Sequence, residues 1–197
     1  DALKAETSIN YELGWEHHTF PLYFRLVYYN RVIKDGLDYD YTQWNYYNIL
    51  QQNVNGIELE SKWNVHARNL LQANYTFLSG NEISQNRVTT VEFITYPYLL
   101  KRPKNLLNIQ WQHQFNEKWS MQITGKYIDK RYDIGGYMQP DVTLNYYTNL
   151  NLHINYKASK HLQLFFDGQN LGNDHFQEIY GYNAIGRKWL VGLNWQR

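Results

Sequence analysis

The stretch NLLNIQWQHQF, residues 105–115, alternates almost without fault: Leu107, Ile109, Trp111, His113 and Phe115 fall on one side, and Leu106, Asn108, Gln110, Gln112 and Gln114 on the other. A two-residue period of this kind specifies a strand with two unlike faces, one apolar and one made mostly of amides. The period recurs in residues 8–17, 22–31, 56–65, 70–78, 119–127, 149–157, 162–168 and 188–195. In 8–17, Ile9, Tyr11, Leu13, Trp15 and His17 oppose Ser8, Asn10, Glu12, Gly14 and Glu16; in 149–157, Leu150, Leu152, Ile154 and Tyr156 oppose Asn149, Asn151, His153 and Asn155. Nine amphipathic strands are expected, and no apolar run approaches the roughly 18 residues of a transmembrane helix.

The connections alternate in length. Short links, HHTFP, VHARN, NEK and KASKH, follow the first, third, fifth and seventh strands, and links of well over ten residues follow the second, fourth, sixth and eighth. Tyr41–Gln51 is read as loop leading into the third strand. A soluble β-sandwich, the plain alternative, gives no reason for every second connection to be long. An outer-membrane barrel does, because its periplasmic turns are short and its extracellular loops long. Strands of about ten residues, rising about 3.3 Å each and tilted by about 45°, also span the apolar band, about 25 Å tall.

Composition agrees. Aromatic residues make up 17% of the chain, with Tyr at 19 and Trp at 7 copies. Their amphipathic rings suit positions where an apolar layer meets water. Trp15, Trp111, Phe115, Trp119 and Trp195 lie at strand ends, where girdles belong. With 19 basic against 18 acidic residues, the footprint of a nucleic-acid partner is missing. The absence of Cys removes disulfides and thiolate chemistry. The fold class expected is all-β, a transmembrane antiparallel β-barrel.

If long loops are extracellular, the ninth strand runs down to a periplasmic C-terminus, but the first also runs downward. Single-chain bacterial barrels have even strand numbers. The chain is therefore expected to be the C-terminal part, residues 1–197, of a larger barrel, and DALKAETSIN carries no apolar signal-peptide core.

The last segment, NLGNDHFQEIYGYNAIGRKWLVGLNWQR, resembles the end of TonB-dependent outer-membrane receptors, through Asn170, Leu171, Tyr180, Gly181, Tyr182, Gly186 and Arg187. NGIELE (55–60), NYTFL (74–78) and KRP (101–103) extend the likeness over nearly the whole chain, and KYIDKRYD (126–133) with YGYNAIGR looks most like the cobalamin transporters of that family. One departure is the ending Trp195, Gln196, Arg197, where family members usually finish on an aromatic residue.

The resemblance implies a 22-stranded barrel in the outer membrane of a Gram-negative bacterium, with an N-terminal plug. It implies coupling to TonB, a possible surface lipoprotein partner, and active uptake of a scarce large ligand, a corrinoid first and a siderophore or haem as the alternative. No cofactor is implied. Loop aromatics that would meet a flat hydrophobic ligand are Tyr39, Tyr41, Trp44, Tyr46, Tyr47, Tyr132, Tyr137, Tyr180 and Tyr182. The competing reading is that these rings pack loop on loop.

Other polar groups read more plainly. Adjacent His17 and His18 point to opposite strand faces and cannot converge on a metal without a bend. Glu12, Glu58, Glu60 and Asp167, on the same side as Arg25, Lys62, Lys126 and Lys157, suggest a salt-bridged lumen wall. His113, near the NEK turn, reads as a girdle residue. An outer-membrane lipid hydrolase would need a Ser beside outward His17 or His113, and none is evident, so no enzyme is expected; a passive porin is the remaining remote class.

Overall fold

The computed structural model describes residues 3–40 and 43–196. Its strands are β1 (Thr7–Thr19), β2 (Leu22–Asp40), β3 (Asn45–His66), β4 (Asn69–Gln85), β5 (Phe93–Tyr96), β6 (Asn105–Gln114) and β7 (Trp119–Ile128). They continue as β8 (Arg131–Asp133), β9 (Val142–Leu144), β10 (Tyr147–Lys157), β11 (Leu162–Gln169), β12 (Gln177–Ile179), β13 (Tyr182–Asn183) and β14 (Lys188–Trp195). Nine of them form one antiparallel meander in the order β1-β2-β3-β4-β6-β7-β10-β11-β14, with β5 attached to β4. These are the nine strands expected from the alternation. The short β8–β9 and β12–β13 pairs lie inside two of the long connections.

The register joins the apolar faces into one surface. Trp15 lies opposite Leu26, Leu26 opposite Leu59, Leu59 opposite Tyr75, Tyr75 opposite Leu107 and Leu107 opposite Tyr127. A one-residue slip on any strand would turn this band inside out, so the pattern itself fixes the pairing. Toward the short turns the row is aromatic: Trp63, Trp111 and Trp119 are all exposed, and Trp119 stacks on Tyr156 at 4.4 Å. His113 belongs here, 4.4 Å edge-on from Phe115, with Nδ1 2.7 Å from Asn69 Oδ1. His17 lies by Trp15 at 6.2 Å, whereas His18 meets Tyr23 edge-on at 5.9 Å, on the other face.

The boundaries of the second to fourth strands differ from expectation. β2, β3 and β4 have 19, 22 and 17 residues, so Asn45–Gln51 is strand rather than loop, and Tyr41 lies outside the described residues. At about 3.3 Å per residue and a tilt near 45°, β3 is about 50 Å tall, well beyond the apolar band. The strands do not stop above the band, but the alternation loses its single sense, with Val32 and Ile83 still outward among amides. Val54, 2% exposed, and Ile33, 8%, now point inward, while Asn30, Asn53 and Asn55 point outward and bond one another. The apolar-out, polar-in periodicity is therefore confined to the part of each strand within the apolar band.

The buried apolar residues are few: Val27, Ile33 and Val54 on the inward side of β2 and β3, Tyr96 and Leu99 in and after β5, and Ile128, Leu144 and Tyr147 at the upper ends of β7, β9 and β10. Loops fold over them. Gly80 makes room: a Cβ there would come within 2.5 Å of Asn53 O and 3.0 Å of Leu99.

Candidate functional site: the loop cluster and its cavity

Three connections, residues 86–104, 129–146 and 170–187, pack together above the barrel wall. The first is held by Arg87, whose guanidinium pairs with Glu82 on β4 and with Asp141, 2.7 Å away, in the second. Its carbon lies 3.9 Å from the Tyr96 ring centroid, a cation–π contact. Burial would push Arg87 down, but Asp141 and Glu82 more than offset this and hold it above its ordinary pKa. Tyr98 donates to Asp141 Oδ2 at 2.8 Å and stacks on Tyr132 at 3.8 Å. Burial and the bond to Asp141 raise the Tyr98 phenol well above its usual value, so it stays a donor.

The third connection is tied to the second. Asp133, 2% exposed, accepts from Tyr180 N at 2.9 Å, Arg131 donates to Gln177 O at 2.6 Å, and Tyr147 donates to Glu178 while stacking on Phe176 at 3.7 Å. Glu178 is held below the ordinary glutamate pKa by that bond from Tyr147, with Lys126, 3.4 Å away, acting in the same direction against partial burial. A depressed carboxylate contributes its full anchoring above the ordinary glutamate range and loses it as pH falls through the lowered value. Amide-exchange protection factors over residues 177–183 are expected to be flat from pH 8 to 5 and to drop toward pH 3, a drop that Glu178→Gln abolishes.

Between the long β2–β3 hairpin and residues 134–138 lies a cavity of about 490 Å³. Tyr39, Tyr47 and Leu50 line one side, Ile134, Tyr137 and Met138 another, and Glu82, Arg87, Leu99 and Arg102 also line it. With Asp38 the lining carries two acids and two arginines, a balanced charge. A larger cavity, about 890 Å³, lies between the inward wall at Gln122, Asn149, Asn151, His153 and Asp167 and the third connection, whose Phe176, Glu178 and Tyr182 also line it.

Of the aromatics expected at a ligand site, the structure brings Tyr39, Tyr47 and Tyr137 to one cavity. Tyr46 is 57% exposed and contacts Tyr39 edge-on at 5.0 Å, and Trp44, 77% exposed, stands at the hairpin turn. Tyr41 lies outside the described residues. Tyr132 is occupied by its stack on Tyr98; Tyr180 and Tyr182 are exposed on the third connection. The salt-bridged wall takes a different form from that expected. Asp167 pairs with His153 at 2.6 Å and Lys126 with Glu178, while no ion pair within 4.0 Å involves Glu12, Glu58 or Glu60 among the described residues. Register does set Arg25 opposite both Glu16 and Glu60, but at a wall open to water the side chains gain little by closing.

Comparison with known proteins places these features. Residues 1–171 match the family described as TonB dependent receptor-like, beta-barrel. The ferric-catecholate import receptor Fiu of E. coli K12 superposes with a TM-score of 0.78 at 15% identity, over 98% of this chain and 28% of that one. The pyoverdine outer membrane receptor FpvA of Pseudomonas aeruginosa PAO1 gives 0.77 at 16%, over 99% and 30%. The FrpB iron transporter of Neisseria meningitidis, F5-1 variant, gives 0.77 at 15%, over 99% and 32%. At such identities the likeness is one of fold, and the chain spans about a third or less of each structure's length.

Proposed function

Since the chain belongs to the TonB dependent receptor-like β-barrel family, we propose that it forms part of the wall and extracellular mouth of an outer-membrane receptor in a Gram-negative bacterium. That receptor imports a scarce large ligand, with a plug inside the barrel, TonB as the energy-coupling partner and a surface lipoprotein as a further partner. Its role in this reading is transport, and outward His113, bonded to Asn69 at 2.7 Å, is a girdle residue of the wall.

The observation that carries the ligand class is the cavity beside Tyr39, Tyr47 and Tyr137. Three phenols and Met138 offer flat, polarizable surface, and the two acids balance the two arginines. This suits a bulky ligand of low net charge with an apolar face and amide edges, as a corrinoid has. Tyr41, Trp44, Tyr46, Tyr132, Tyr180 and Tyr182 then serve the mouth around it. A ferric siderophore is the second reading, supported by what Fiu and FpvA are described as taking up; a polyanionic ferric catecholate would be better matched by an excess of cations than by Glu82 and Asp38. Calorimetry on the full-length receptor is expected to give tight binding of cyanocobalamin, weakened at least tenfold by Tyr39→Ala with Tyr137→Ala. No heat with cyanocobalamin but tight binding of a ferric catecholate would reverse the order of the two readings.

A further inference from the structure

The inward face of the wall divides into two sectors of unlike charge. On β1–β3 it carries Glu12, Glu16, Arg25, Glu58, Glu60 and Lys62, none of which closes an ion pair within 4.0 Å among the described residues. From β4 to β10 the register sets Gln72, Gln110, Thr124 and Asn151 in one row, Gln112 and Gln122 in the next, and Gln114, Ser120 and Asn155 in a third. No side chain at these positions is ionised. The amides bond one another: Gln110 Nε2 donates to Gln72 Oε1 at 3.1 Å, and Gln112 Nε2 to Gln122 Oε1 at 3.3 Å.

The cavity of about 890 Å³ lies between this neutral sector and the third connection. Gln122, Thr124 and Asn151 form one side of it, and Phe176, Ile179 and Tyr182 the other. Both acids in its lining are already partnered: Asp167 lies 2.6 Å from His153, and Glu178 accepts from Tyr147 and lies 3.4 Å from Lys126. An amide offers a donor and an acceptor at once, so a wall of amides meets amide and hydroxyl groups in either sense but gives an ion no counter-charge. The two-sided chemistry of the cavity beside Tyr39, Tyr47 and Tyr137 is thus repeated at another level. The outward neighbours Ile123 and Leu152 of Gln122 and Asn151 lie opposite each other within the apolar band, whereas Tyr39 and Tyr47 stand above it.

We propose that the larger cavity is an inner binding site for the transported molecule, an uncharged, bulky ligand with amide or hydroxyl edges, occupied after the mouth. Those edges bond Gln122, Thr124 and Asn151, the apolar face lies against Phe176, Ile179 and Tyr182, and the amide rows continue through Gln112 and Gln114 as a path toward the short turns. A volume of this size is within the range of ligand sites, about 300–1,000 Å³. The β1–β3 sector is unsuited to the same ligand, because each of its unpaired charges would shed water against a neutral surface. On the amide sector a bond given to the ligand replaces one amide bond by another, so the ligand is held without being trapped. The inference rests on the receptor reading and its ligand of low net charge.

Cells expressing the full-length receptor test it with radiolabelled cyanocobalamin, bound at the surface after de-energisation by a protonophore and taken up when energised. Gln122→Glu with Asn151→Asp keeps the acceptors that Gln112 and Asn170 use and adds two negative charges; Gln122→Lys with Thr124→Lys adds two positive ones. Both variants are expected to bind at the surface within twofold of the wild type and to take up ligand at least tenfold more slowly. Gln122→Asn with Thr124→Ser, neutral throughout, is expected to transport within twofold of the wild type; a tenfold loss there would point to packing and overturn the role of the amides. Unchanged uptake in either charged variant would overturn the inner site and leave the mouth intact, and a loss with one sign of charge alone would assign the wall to the plug. Surface binding that falls in step with uptake would also overturn it, by placing the effect at the mouth or in folding. Absence of cyanocobalamin binding by the wild type would instead overturn the ligand class on which the inference rests.

Discussion

Ile109→Arg is expected to destabilise the inserted barrel by about 2–4 kcal/mol, the cost of a lipid-facing Arg near the bilayer midplane. Ile109 is the central outward residue of β6, set between Ala73 and Gly125, two small neighbours that leave it prominent at 42% exposed. Its neighbour Gln110 points inward, facing Gln72 and Thr124, and donates to Gln72 at 3.1 Å. Gln110→Arg exchanges that bond for a solvated cation and is expected to cost less than about 1 kcal/mol. Urea titration of the full-length receptor refolded into bilayers, followed by heat-modifiable gel mobility, separates the two. Equal losses, or the reverse order, would mean that the band faces something other than lipid.

Arg87→Met should leave the barrel wall standing and release the mouth. The substitution strands Glu82 and Asp141, whose side chains are 5% and 3% exposed, without their shared cation. Removing one partner of a buried ion pair costs about 3–5 kcal/mol, because the remaining charge must be neutralised or rehydrated. The connection spanning 86–104 then keeps only the Tyr98 bond to Asp141, and the cavity loses the part of its wall that Arg87 supplies. Ligand affinity is expected to fall roughly 100-fold, the binding equivalent of about 3 kcal/mol. Hydrogen exchange should rise over 86–104 and 138–146 but not over β6, β7 or β10. Adding Glu82→Leu and Asp141→Asn, which removes the stranded charges, should recover part of the protection; wild-type exchange in Arg87→Met alone would dismiss the clamp.

The membrane half of this molecule was open to reading because lipid imposes one rule on every strand, and Leu107, Ile109 and Trp111 obey it in plain alternation. Strand number, order and short turns follow from that rule. Above the band the rule lapses, which is why Asn45–Gln51 resembles a loop in sequence although Asn45–Leu50 run along β2 and Gln51 pairs with β4. The aromatic side of the cavity was legible as chemistry: Tyr39, Tyr47 and Tyr137 are large, amphipathic and set among turn residues. Glu82, Arg87, Asp141 and Arg131 were not, because a buried ion pair spanning 54 positions, as Arg87–Asp141 does, leaves no local periodicity to find. The YPYLL run, 96–100, carried the only hint, a dense aromatic and apolar cluster inside a nominal loop.

β4 changes partners partway along its length. Asn69–Phe77 pair with β6, which begins at Asn105, and Glu82–Gln85 pair instead with the four residues of β5. Without β5 the upper part of β4 would present a row of unpaired amides and carbonyls, the template on which chains add to one another. The connection that carries Arg87 and Leu99 is thus also a guard against edge-to-edge assembly. Shortening it would expose that edge, and such a variant is expected to form oligomers in mild detergent where the wild type does not.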